Sequence, residues 1–161
     1  MPVLGLPRIV STLEDIEWIL KCVESPANGL TFCTGSLSVN PDNDLLQIAE
    51  QVSDKIQFVH LRNTTLLDNL DFYESGHLSG KVDMLRILQL LLNEQKKRFA
   101  AGRNDSSLPM RVDHGLRMLT DFLNEYNPGY PLIGRMRGLA ELRGLEYGIE
   151  RLSSAGKGKI I

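Results

Sequence analysis

Cysteine and aromatic residues are scarce in this 161-residue chain, and long apolar runs are missing. Two cysteines are too few for a disulfide framework, so the fold must rest on a buried core, and a reducing cytoplasm is the expected compartment. No apolar run reaches the roughly 18–20 residues of a membrane span, and the opening residues show no charged-then-apolar leader. An excess of one charge is also lacking. The 18 Lys and Arg against 20 Asp and Glu leave a net −2, which speaks against a general nucleic-acid surface. What is present is 42% hydrophobic residues, too many for a disordered chain and enough for one domain with a real core.

Taken in order, residues 1–10 hold Pro2 and Pro7 and read as an extended entry. Ser11 and Glu14 have capping-box spacing, and Leu13, Ile16, Leu20 and Val23 follow at helical intervals, which predicts a helix over 12–23. LTFCTG (30–35) reads as a strand, residues 36–44 as a polar turn, and Asn40-Pro41 as the start of a helix carrying Leu45, Ile48, Ala49 and Val52. A second strand is expected at 56–63, with Ile56, Phe58, His60 and Arg62 on one face and Val59 and Leu61 on the other, needing cover on both. Residues 64–80 form a long polar connection holding Phe72, Tyr73, Glu74 and His77. A helix over 82–99, a strand at 108–113 and a further helix through Leu116, Leu119 and Leu123 come next. Residues 132–152 read as helix, with Gly134, Gly138, Gly144 and Gly148 spaced for close packing, and 153–161 as a flexible tail. Alternating helices and strands imply a parallel sheet. Three strands suit part of a (β/α)8 barrel better than a complete α/β domain, because whole barrels run to about 250 residues.

Each of the three strands ends in a residue able to bind metal: Cys33, His60 and Asp113. All fall at the C-terminal edge of the sheet, where α/β folds keep their sites, and strand parity lets all three point inward. Thiolate, imidazole and carboxylate form a mixed donor set that suits a divalent transition metal. Taken singly, each has an ordinary alternative: a buried cysteine, a hydrogen-bonded histidine, a helix-capping aspartate.

FCTGSLSVNPDNDL (32–45), FVHLRN (58–63), FYESGHLSG (72–80), PMRVDHG (109–115) and NPGYPLIGRMRGLAELRG (127–144) resemble mannonate dehydratases, and the likeness runs from GLPRIV (5–10) to about residue 150. The resemblance implies the C-terminal part of a TIM barrel of the xylose-isomerase-like kind over residues 1–152. It implies a hydro-lyase converting D-mannonate to 2-dehydro-3-deoxy-D-gluconate and water in hexuronate (glucuronate) catabolism, with Mn2+ or Fe2+. On that likeness Cys33, His60 and Asp113 are metal ligands, and His114 and Tyr130 are the acid/base pair. The family's further histidine ligand belongs to a stretch upstream of GLPRIV, which is expected to lie outside this chain along with the preceding strands.

Arg62 and Arg111 share faces with the ligands and are candidates for the substrate carboxylate, the alternative being structural ion pairs. His77 sits in a segment able to close over a sugar acid, or is a surface histidine. An incomplete barrel exposes two sheet edges, so association with a second copy or with an N-terminal half is expected. Two other readings stay open: a non-catalytic remnant or partner half of a split enzyme, and a metal-dependent sugar isomerase or epimerase.

Overall fold

The computed structural model describes Leu6 and residues 9–155, without the side chains of Ser154 and Ala155. Most of the expected entry segment and residues 156–161 of the expected tail lie outside the described residues.

Three parallel strands make the central sheet: β1 (Leu30–Cys33), β2 (Ile56–His60) and β5 (Met110–Arg111), in the order β1-β2-β5. Helices α1 (Leu13–Cys22), α3 (Leu45–Val52), α4 (Met84–Ala100) and α5 (Leu132–Ala155) complete a mixed α/β arrangement. Among the described residues, none of these helices is long and apolar enough to cross a membrane. Phe32 and Val59 are paired in register and fully buried, together with Ile48, Ala49, Val52, Ile87, Leu88 and Leu91 from α3 and α4. Deleting a ring such as that of Phe32 from this core costs about 3–5 kcal/mol.

The opposite face carries Thr31 and Cys33 beside Phe58 and His60. The cover expected on both faces is only partial on this one: Ile56 is buried in the core, where the β1–β2 register shifts, but Thr31 is exposed, and Cys33, Phe58 and His60 are half-buried. Phe58 and His60 share that face, as period-two geometry requires, with their rings edge-to-face at 5.4 Å.

Several boundaries move for local reasons. The first helix is capped by Thr12 and Asp15, not by Ser11 and Glu14, because the Asp15 carboxylate reaches back to the amides of both Ser11 and Thr12. The strand expected at 30–35 stops at Cys33, where the one-turn helix α2 (Thr34–Ser38) replaces the expected polar turn. Asn40-Pro41 does not open α3. Asp44 does, its Oδ1 accepting from the amides of Leu46 and Gln47. The third strand shrinks from 108–113 to two residues, because Asp113 turns left-handed (φ 59°) and leaves the ladder.

Two larger differences concern the site. The connection at 64–80 contains a hairpin, β3 (Thr64–Leu66) against β4 (Phe72–Glu74), hidden in the sequence by three-residue strands around a polar tip. Asn63 fastens it to the start of α4: its amide nitrogen donates to the carbonyls of His77 and Val82, and its oxygen accepts from the amide of Val82. The helix expected through Leu116, Leu119 and Leu123 is only a 3-10 turn, Leu119–Leu123, and all three leucines are exposed. Asp121 is instead buried and caps α5 from a distance, accepting from the amides of Ile133 and Gly134. Burial works against its charged form, but these amides prevail and hold its pKa below the ordinary value.

Of the four glycines spaced along α5, Gly134 and Gly138 make close approaches. A Cβ at Gly134 would meet the Leu116 carbonyl oxygen at 1.7 Å, and one at Gly138 the His77 ring at 2.1 Å. Gly144 and Gly148 face open space.

Candidate metal centre

Register brings the ends of the strands together. Cys33 pairs with His60, and His60 pairs with Arg111, so the three are side by side across the sheet. Thr34 secures this edge: its hydroxyl donates to the carbonyl of Arg62 and accepts from the Arg62 amide. The left-handed turn at Asp113 then brings its carboxylate back against the same edge. A non-glycine residue at positive φ costs free energy, and aspartate tolerates it better than most.

Among the described residues, Cys33, His60 and Asp113 form a group in which one donor atom from each lies within 4.8 Å of the others. The Nδ1 of His60 is 3.6 Å from Oδ2 of Asp113. Two nitrogen or oxygen ligands at about 2.1 Å from one ion lie at most about 4.2 Å apart, so a single ion can touch both. A thiolate at about 2.3 Å extends this reach to about 4.4 Å for ligands opposite each other, so side-chain rotation draws the three donors in to one ion. Burial, helped by the nearby positive charge of Arg111, holds the pKa of His60 below its usual value despite the opposing pull of Asp113. The neutral imidazole is the form that binds metal.

Around this group stand the other expected residues. Arg111 donates from Nη2 to Oδ1 of Asp113 at 3.0 Å, while its buried Nε has no partner. His114 places Nε2 3.9 Å from Oδ2 of Asp113, and its ring meets that of Tyr130 edge-to-face at 4.8 Å. Arg62 is committed elsewhere: its Nε donates to both carboxylate oxygens of Glu74 at 2.9 and 3.0 Å, and its Nη2 also contacts Glu74. Burial alone would lower the pKa of Arg62, but the hydrogen bonds and charge of Glu74 outweigh it and raise it. His77 is apart from the metal group. It is buried, with Nε2 3.1 Å from the Val112 carbonyl oxygen and Gly138 against its ring.

Two residues at the site were not singled out from the sequence. Glu74 links Arg62 to His114, whose Nδ1 is 3.0 Å from its Oε1. Arg135 lies over the Tyr130 ring at 5.5 Å, with its buried Nε unpaired. Glu74 is 12 residues from Arg62 and 40 from His114 along the chain, so no local spacing could signal it, and only its place in the resembling block 72–80 pointed to it. Arg135 lies in the resembling block 127–144, which is the signal that was available.

The chain is similar to known proteins along most of its length. The model of the D-mannonate dehydratase (UxuA) family matches residues 1–155. A mannonate dehydratase of Chromohalobacter salexigens is 49% identical over 153 residues, covering 94% of this chain and 39% of that protein. Mannonate dehydratase 1 of Agrobacterium fabrum is 51% identical over 148 residues, covering 90% and 37%. A crystal structure of mannonate dehydratase from Streptococcus suis superposes with a TM-score of 0.79 at 33% identity, covering 99% of this chain and 44% of that one. The chain thus spans about two-fifths of the length of the curated relatives it matches.

Proposed function

The chain belongs to the D-mannonate dehydratase family, and on that premise we propose that it carries the metal centre and acid/base groups of a hydro-lyase acting on D-mannonate. The observation that carries this reading is the convergence of Cys33, His60 and Asp113 within 4.8 Å, with His114 alongside. Those three residues hold Mn2+ or Fe2+, in a reducing cytoplasm that keeps the Cys33 thiol available. When bound, the cation stabilises the negative charge that builds on the substrate carboxylate as its α-proton leaves.

The protein groups do the rest. One of His114 and Tyr130 takes the proton from C2, and the other protonates the departing 3-hydroxyl. Water leaves, and the resulting enol becomes the 2-oxo product. Arg111 is the arginine better placed for the sugar-acid carboxylate, since its side chain is 39% exposed whereas that of Arg62 is 13% exposed and bound to Glu74. His77 acts from beneath the site, where its contact with the Val112 carbonyl steadies the backbone next to Asp113.

The three-stranded sheet is part of a (β/α)8 barrel. Its strands run parallel, one face is only half-buried at Cys33, Phe58 and His60, and the metal-binding groups lie at or just beyond the C-terminal strand ends. A further polypeptide segment, from another chain or another part of a longer one, supplies the remaining wall and a further histidine ligand.

The test is D-mannonate dehydration with Mn2+ or Fe2+ under reducing conditions, on this chain alone and after mixing with the N-terminal half of a relative. Turnover is expected in the mixture and not in the chain alone, and Asp113→Asn should abolish it. A metal-loaded mixture without turnover would sink the proposal, and isomerised or epimerised sugar in its place would favour that chemistry.

A further inference from the structure

We infer that Glu74 is a positioning residue for His114, holding the imidazole so that Nδ1 carries the proton and Nε2 faces the metal-binding group. The inference deepens the acid/base role proposed above for His114 and rests on it.

A carboxylate ion can only accept hydrogen bonds, so the 3.0 Å contact between Oε1 of Glu74 and Nδ1 of His114 requires the proton to be on Nδ1. In the neutral ring Nε2 is then left with its lone pair. That is the nitrogen nearer the metal-binding group, 3.9 Å from Oδ2 of Asp113. The ring has little freedom to turn. Tyr130 meets it edge-to-face, and Gly129 backs it so closely that a Cβ there would lie 2.6 Å from Nδ1.

Glu74 is itself held from two sides. Arg62 clamps both its oxygens, and the β3–β4 ladder places it opposite Thr64. The side chains of Glu74 and His114 are each 21% exposed, so the contact is partly shielded from water. The hairpin thus brings to the strand-end site an acceptor that β1, β2 and β5 do not provide. The logic is that of a carboxylate fixing the tautomer and orientation of a working histidine.

The competing explanation is that Glu74 serves only as the counter-ion of Arg62. The His114 tautomer separates the two. The chain has three histidines, so 15N-histidine labelling of the 161-residue protein gives three imidazole spectra, with His114 identified by its loss in His114→Gln. In the neutral ring, the wild type should show a protonated Nδ1 and a bare Nε2 on His114. Glu74→Ala should shift His114 toward the Nε2–H form. Glu74→Gln, whose amide oxygen still accepts, should retain the wild-type pattern. His60 and His77 should be unchanged in both variants, which reports an intact fold.

A bare Nδ1 on His114 in the wild type would overturn the inference, even if Glu74→Ala fails to fold. So would an unaltered His114 spectrum in a folded Glu74→Ala variant. In an assembled enzyme, Glu74→Ala should lower kcat about 10–100-fold with KM little changed, and Glu74→Gln should recover part of the loss. The tautomer is measured without substrate or metal. A failed dehydration assay with the expected tautomer therefore removes the reaction and keeps the contact, and the reverse result removes only the role of Glu74.

Discussion

The two ends of the central sheet handle polar groups in opposite ways. At the start of β2, Arg98 is 1% exposed and its guanidinium is fully engaged. Its Nε donates to Glu94 at 2.9 Å, Nη2 to the carbonyls of Ser53 and Ile56 at 2.6 and 2.9 Å, and Nη1 to that of Asp105 at 3.3 Å. At the other end, Asp113 stands in a left-handed conformation, and the Nε atoms of Arg111 and Arg135 are buried without partners. Buried polar groups are nearly always satisfied in stable structures, so donors left over at one edge fit the ligand-binding role proposed for it. The closed end secures the strands, and the other end leaves the Nε atoms of Arg111 and Arg135 without partners.

The strongest way to break this contrast is at the closed end. Arg98→Met should cost about 3–5 kcal/mol in urea unfolding, because it strands the buried Glu94 carboxylate, while Mn2+ affinity of the folded protein stays the same. A loss of metal binding at unchanged stability would reverse the roles of the two ends.

Asp113→Asn tests the open end. Asparagine also accepts positive φ, so stability should move by less than about 1 kcal/mol, whereas Mn2+ affinity should fall at least about 10–100-fold in equilibrium dialysis. An unaltered affinity would remove Asp113 from the ligand set.

The contrast sharpens along α5. Gly138→Ala forces a methyl group into the His77 ring and should destabilise by about 1–3 kcal/mol. Gly144→Ala points into open space and should stabilise by about 0.5–1 kcal/mol, the ordinary gain for alanine within a helix. Thermal unfolding of the pair reads both signs, and equal shifts would deny that α5 packs against His77.

The smallest effect concerns pH. The backbone amides that Asp121 accepts hold its folded pKa below the ordinary 3.8, so its stabilising contribution is complete above that value and is lost as pH falls through the folded one. Asp121→Asn should be less stable than wild type at neutral pH, with the gap closing in acid. A gap that stays constant from pH 7 to pH 2 would contradict the capping role.

Much of the site was legible before the structure. Cys33 and His60 could be chosen because a strand's parity and its end can be read from a few neighbouring residues, whereas Asp113 reaches them through a left-handed turn past its strand and was pointed to by its motif block. The misjudged features are of two kinds, local choices between neighbouring caps and contacts with distant partners. Thr12 and Asp44, not Ser11 or Asn40-Pro41, start their helices, because competing polar side chains lie within a few residues and backbone geometry selects among them. Leu116, Leu119 and Leu123 have helical spacing, yet the segment turns so that Asp121 can reach the start of α5.

By itself, then, the sequence determined the alternation of helices and strands, the parallel sheet and the donor types at the strand ends, since all of these follow from short-range periodicity. Only the tertiary structure decided which donors were already taken. Arg62 and Arg111 looked equivalent in sequence, but a hairpin folded over the edge supplied Glu74 to the first and left the second with a free Nε. Pairing of that kind is set by contacts across 12 to 40 residues, where no local preference of the chain reaches.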